Sequence, residues 1–244
     1  MAEPTLAGVT IVGAGSFNPA IVHPLWLAEK NLISSKAADH AMSPDNPHQI
    51  LVASNLTTFV ADWLSVQVTP VQAVFATVDQ ARDVDLRDLV RGVFSLLPET
   101  PVDALGINTD SHFQAADADH WHAFGDKFLP KEYWEPIFSG GPWKPRAAGA
   151  KERVGMREMM VEVAREDSKV PGYVRVQLAP SVRLIPDGVY ILVNMHFQLT
   201  KPSQTFGTKP RRATAADAAR VLLDHWDETR ETEHRLLAQL QEAV

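Results

Sequence analysis

The chain of 244 residues contains no cysteine. Disulfides, iron–sulfur clusters, thiolate zinc sites and cysteine nucleophiles are therefore excluded. Long apolar runs are missing as well. The richest stretches are interrupted by Asp62, Ser65, Gln67 and Pro70, well short of the roughly 20 continuous apolar residues that a membrane-spanning helix needs. Residues 1–8 hold no basic segment followed by an apolar run, so no secretory signal is visible; a cytoplasmic location without membrane contact is the expectation. The sequence also lacks a Gly-x-Ser-x-Gly elbow, a phosphate-binding lysine loop and a His-Glu-x-x-His motif. Residues 9–18 combine a strand with Gly13 and Gly15. Asn18 stands where a dinucleotide site needs its third glycine, however, and Pro19 and Pro24 leave no helix N-terminus to face a pyrophosphate. No cofactor is expected.

What is present is an ordinary globular composition. With 45% hydrophobic and 22% charged residues the chain lies outside the range in which sequences stay disordered, and its length fits one large unit or two tightly joined halves. The first half reads as strand 8–17, a short helix entered at Pro24 and running over 25–33, and a surface loop 35–47 rich in turn formers. Strands 49–53, 57–68 and 73–78 follow, then a helix over 86–97 ended by Pro98, then strand 104–113. This β, α, β, β, α, β order over residues 7–113 is that of a ferredoxin-like unit with an additional strand.

The second half opens with a helix over 117–128, with Trp121, Phe124 and Phe128 on one face, and a Gly140-Gly141-Pro142 hinge. An antiparallel meander of three strands follows, 152–165, 173–185 and 189–199, joined at Pro171-Gly172 and Pro186-Asp187-Gly188. A long helix starts near Thr214 with Asp217 at capping-box spacing. The expected architecture is α+β: an N-terminal ferredoxin-like half, residues 1–143, and a basic meander with a long C-terminal helix, residues 144–244, packed as one globular unit. No repeat with a period of 20 to 50 residues is visible.

Two residue sets carry possible chemistry. Asn108, Asp110 and His112 share one face of strand 104–113, and Asn194, His196 and Gln198 share one face of the last meander strand. If both strands lie in one sheet, Asp110 can orient His112 or His196 as a general base; the simpler reading is the wet face of an antiparallel sheet. On the helix over 117–128, Asp119, His122 and Asp126 share a face and offer carboxylate and imidazole ligands of the kind zinc or manganese takes. A solvated helix face explains them without a metal.

Charge is the clearest irregularity. Residues 1–143 carry a net −10, residues 144–212 a net +7 and residues 213–244 a net −4. Lys144, Arg146, Lys151, Arg153 and Arg157 mark the entry of the basic stretch, and Lys201, Lys209, Arg211 and Arg212 its exit. Such a stretch either neutralises its acidic neighbours or steers an anionic partner. The distal helix adds Leu236, Leu237 and Leu240, expected to project and meet a second chain because about 30 residues at roughly 1.5 Å each exceed what one core needs. These features favour a non-enzymatic interaction or scaffold subunit that engages a protein partner or another copy of itself. The alternatives are a small-molecule or metal-dependent enzyme using Asp110, His112 and His196, and a nucleic-acid-associated accessory protein, which the acidic total disfavours.

Overall fold

A computed structural model of the chain describes residues 4–139, 141, 155–165, 169–200 and 212–241. Among the described residues nine strands make one sheet: β1 (Leu6–Gly15), β2 (Leu51–Ala53), β3 (Leu56–Ala61), β4 (Leu64–Thr69), β5 (Gln72–Thr77), β6 (Val102–Gln114), β7 (Met159–Ala164), β8 (Gly172–Pro180) and β9 (Gly188–Gln198). Their order is β2-β3-β4-β5-β1-β6-β9-β8-β7, and every neighbouring pair is antiparallel. The helices are α1 (Pro24–Glu29), α2 (Ser35–Met42), α3 (Asp83–Leu96), α4 (Ala118–Phe128), α5 (Glu135–Phe138) and α6 (Ala215–Gln241). The class is α+β, with an antiparallel meander and a long C-terminal helix.

One connection pattern is used twice. β1 leads through α1 and α2 into the meander β2 to β5, whose last strand pairs back onto β1, and α3 follows. β6 leads through α4 and α5 into the meander β7 to β9, whose last strand pairs back onto β6, and α6 follows. The two first strands, β1 and β6, meet at the middle of the sheet with Ile11 opposite Ile107.

Because side chains alternate across a strand, one face of the sheet carries the core. Val9, Ile11, Phe59, Val66, Phe75, Leu105, Ile107 and Phe197 pack against Leu27, Leu86, Val90, Phe94, Leu222 and Trp226 from the helices. A second, smaller cluster joins Phe113, Leu178, Val189 and Ile191 to Phe124 of α4 and Leu237 of α6. Each such side chain contributes about 1.5–3 kcal/mol by leaving water.

Four expectations need correction. The single strand 57–68 is a hairpin, β3 and β4, turned at Asp62, whose φ is 52°. Residues 35–42 of the expected loop form α2: Ser34 caps it, its Oγ accepting from the Ala37 N–H at 3.1 Å. The buried face of α2 is made of Ala37, Ala38 and Ala41, too small to register as an apolar stripe. Residues 181–185, read as the end of a strand, lie in the loop between β8 and β9.

The fourth concerns α6. α6 lies along the sheet and does not project: Leu237 is 6% exposed, and the half-buried Leu236 and Leu240 pack on the same second cluster and keep part of their surface. The helix is long because the strands beneath it are long. The 13 residues of β6 at about 3.3 Å each span roughly 43 Å, and the 27 residues of α6 at about 1.5 Å span roughly 40 Å.

Candidate functional site

Among the described residues, the face of the sheet opposite the helices contributes no side chain to either apolar cluster. Across its middle, the register sets Gly106 beside Val12 and His196, and His196 beside Tyr173. The next row sets Thr10, Asn108, Asn194, Arg175 and Glu162 side by side. Ala14, Ala104 and Gly106 are small, so the sheet is low there, and the longer side chains of β6, β8 and β9 rise beside it. The result is a depression of about 260 Å³ bordered by Asn108, Asn194, His196, Tyr173, Arg175 and Gln177.

Its polar groups are held by one another. Asn194 Nδ2 donates to Asn108 Oδ1. The His196 and Tyr173 rings stack with centroids 4.4 Å apart and an angle of 8°, and the Arg175 guanidinium lies 4.7 Å from the Tyr173 ring centroid. Arg175 Nε and Nη2 both donate to Glu162 Oε2, at 3.0 and 2.7 Å. Burial holds the His196 imidazole below its ordinary value; a hydrogen bond with Gln198 opposes this and Arg175 adds to it. The imidazole is therefore neutral at neutral pH. Among the described residues, the lining has amides, an imidazole, a phenol and an already paired guanidinium, but no carboxylate and no aliphatic hydroxyl.

Two members of the expected set, Asp110 and His112, lie elsewhere on this face. His112 stands opposite Tyr190, six positions along β6 from the Gly106 that faces His196, which at about 3.3 Å per residue separates the two imidazoles by roughly 20 Å. They do not share one site. His112 is 4% exposed; its Nδ1 meets Ser181 Oγ at 2.8 Å and its Nε2 lies 3.9 Å from Asp110 Oδ2. Burial lowers its pKa, Asp110 opposing and Arg183 assisting.

The order Ser181, His112, Asp110 invites comparison with a hydrolytic triad, but the contacts of Ser181 argue otherwise. Its Oγ already accepts from the backbone N–H groups of Arg183 and Leu184, at 3.1 and 2.9 Å, and Ser181 and His112 are both buried, so the pair is engaged in the loop and closed to a substrate. The group pins the loop between β8 and β9. Ser181 could not be singled out in the sequence, because its partner lies 69 residues away.

The other expected sites are placed as follows. Asp119 is exposed on α4, His122 packs edge-on against Trp121 with centroids 5.0 Å apart, and Asp126 pairs with Lys131 at 3.0 Å. Among the described residues no three His, Asp or Glu side chains come together as a metal-ligand set. Lys201, Lys209 and Arg211 lie outside the described residues. Arg212 Nη2 meets Asp103 Oδ2 at 2.5 Å and Ser16 Oγ at 3.2 Å, which holds the Asp103 carboxyl below its usual range together with the Thr200 hydroxyl. Among the described residues no helix is long and apolar enough to cross a membrane. No protein-family model and no curated protein matches this chain.

Proposed function

We propose that this protein is a non-enzymatic binding module that engages a partner protein through the open face of its sheet, at the depression over Ala14, Ala104 and Gly106. The observation that carries this reading is a low floor walled by a self-organised set of polar and aromatic groups, Asn108, Asn194, His196 and Tyr173, on a face that gives nothing to the core. Pre-organised hydrogen-bonding groups around a small concavity suit recognition. The catalytic alternative is disfavoured because its two imidazoles stand far apart and its one serine–histidine pair is consumed by a loop. We read the adjacent strands β4, β5, β1 and β6, with α3 joining β5 to β6 across β1, as a ferredoxin-like unit extended by strands β2 and β3; the open face runs from it onto the second meander. We assign the basic residues Lys201, Lys209, Arg211 and Arg212 the role of long-range steering charges for the same partner, and Leu237 of α6 serves the core.

The test is co-purification from the native source followed by hydrogen exchange. Asn194→Lys directs a charge into the depression; it should release the partner while exchange on α3 and α6 stays unchanged, and the partner should protect β6, β8 and β9. Retention of the partner by Asn194→Lys, with loss on charge reversal at Lys209, Arg211 and Arg212, would instead assign the interaction to the basic stretch.

A further inference from the structure

Glycine in the interior of a strand weakens it and often marks a place where another group approaches closely. For most strand glycines here the reason is inside the protein. A Cβ on Gly15 would lie 2.0 Å from the Pro101 carbonyl oxygen, one on Gly172 would lie 1.9 Å from that of His196, and one on Gly188 would lie 2.2 Å from that of Leu184. Gly106 differs. A Cβ there would meet Asn194 Nδ2 at 3.4 Å, Val12 Cβ at 3.8 Å and Asn108 Nδ2 at 3.9 Å, all ordinary contacts, and its backbone is in a region open to any residue. Neither sterics nor φ requires this glycine, so what it supplies is the space above it.

The atoms around that space have a definite pattern. Asn194 Nδ2 uses one of its protons on Asn108 Oδ1 and keeps one; Asn108 Nδ2 keeps both. Asn194 Oδ1 has no hydrogen-bond partner among the described residues. Two N–H donors and one carbonyl acceptor thus stand side by side over Gly106, next to the stacked pair His196 and Tyr173. Among the described residues that line it, no unpaired positive charge is on offer, because Arg175 is held by Glu162 and the His196 imidazole is neutral. A carboxylate would place a second acceptor against Asn194 Oδ1 and find no unpaired cation in that lining.

Resting on the reading of the open face as the binding surface, we infer that the space over Gly106 is a subsite for a neutral carboxamide. Its oxygen accepts from Asn108 Nδ2 and Asn194 Nδ2, and its N–H donates to Asn194 Oδ1. The group arrives either as the side chain of a glutamine or asparagine on the partner or as a free small amide, and the chemistry recognised is the same.

The test uses the full chain, labelled with ¹⁵N, and follows the asparagine side-chain NH₂ signals during titration with nicotinamide, nicotinate and N-acetylglutamine methylamide. Nicotinamide and nicotinate differ in little but the neutral amide against the anion. Both amides should shift the signals of Asn108 and Asn194 saturably, nicotinate should not, and Gly106→Ala should weaken amide binding by about tenfold or more, as loss of two modest hydrogen bonds implies. The backbone spectrum away from β1, β6 and β9 should stay unchanged. Tighter binding of the glutamine derivative assigns the amide to a partner's side chain and tighter binding of nicotinamide to a free ligand; either upholds the inference. Nicotinate shifting the same signals as strongly would overturn the carboxamide assignment and leave the open face a binding surface. If neither amide moves them, or Gly106→Ala binds amide as the parent does, the subsite is wrong, whatever the partner experiment shows.

Discussion

The two halves of this protein share a connection pattern and divide the work between them. In the first half the helix face is mostly apolar, from Phe59 and Val66 through Phe75 to Ile11, with the buried hydroxyls of Thr57 and Thr77 as its interruptions. Its open face carries short side chains such as Thr10, Ala14, Val74 and Ala76. In the second half both faces are polar at the middle. On the open face stand Asn108, Asn194, His196 and Arg175. Beneath α6, Thr109 and Glu233 meet at 2.6 Å, Arg230 Nη1 reaches the same Glu233 oxygen at 2.6 Å, and Arg230 Nε reaches Asp83 at 3.2 Å. Glu233 Oε1, Ser111 Oγ and Thr229 Oγ1 are buried there without a partner among the described residues. The first half supplies most of the larger apolar cluster, while the second carries most of the buried polar and charged side chains, which cost stability unless they are paired.

The sharpest way to break that comparison is to remove core from each half. Phe75 is fully buried, so Phe75→Ala should cost about 3–5 kcal/mol in chemical denaturation. Leu237→Ala removes a side chain from the smaller cluster and should cost about 2 kcal/mol, the low end for such changes. Equal costs would mean the halves share the burden. A negligible cost for Leu237→Ala would mean that the end of α6 is not held by this core.

The second contrast is in titration. The four histidine and glutamate groups whose pKa is shifted by burial, His112, His196, Glu233 and His234, all belong to the second half. Burial pushes Glu233 up from 4.5 to about 7, against the pull of Arg230 and Thr109. Its folded value is raised, so its contribution is full below pH 4.5 and is lost as pH rises through about 7, roughly 3 kcal/mol in all. The histidines run the other way. Their folded values are lowered, so the unfolded chain takes up protons first and stability falls as pH drops below about 6.5. Glu233→Gln should therefore flatten the loss of stability on raising pH from 5 to 8 and leave a curve dominated by the histidines. Parallel curves for parent and variant would show that Glu233 titrates normally. Glu233→Ala is the harsher change, since it takes the carboxylate from Arg230 Nη1 in a buried site and leaves that guanidinium to Asp83, and should cost about 3 kcal/mol, the low end for breaking a buried pair.

Much of the scaffold could be read directly. Turn sequences at Pro171-Gly172 and Pro186-Asp187-Gly188 place the second meander, and alternation along 104–113 and 189–199 separates the polar face from the core. That alternation also put Asn108 and Asn194 on one face, where they now touch. It could not say how far apart His112 and His196 stand, because that depends on register, and register is set by pairing between strands more than 70 residues apart. α2 escaped because its buried face is alanine. Residues 227–235 of α6 include no large apolar side chain, yet this is where α6 crosses Thr109 through Arg230 and Glu233. A polar stretch between two apolar ones has the same signature whether it meets water or a buried partner 124 residues away.

A milder probe compares two ion pairs, Arg212 with Asp103 near the start of β6 and Arg175 with Glu162 beside the depression on the outer strands. Both are partly exposed, so removing either should cost at most about 1 kcal/mol. Their functional weight differs. Glu162→Gln frees a guanidinium beside the depression and should let nicotinate bind, whereas Asp103→Asn should not; the same response from both variants would show that Arg175 does not sense the site.

The smallest expected effect is also the most discriminating. Glycine in a strand costs about 0.5–1 kcal/mol relative to alanine, and at Gly106 a Cβ has room, so Gly106→Ala should raise stability by about that amount. At Gly172, in the same half and the same sheet, the same substitution drives a Cβ onto the backbone of His196 and should destabilise the fold. The pair separates two reasons for a strand glycine. If Gly106→Ala is destabilising, the glycine serves the fold and the space above it is incidental. If it stabilises while amide binding is lost, the protein is retaining a weaker strand to keep that space open, which a scaffold with nothing to bind has no reason to do.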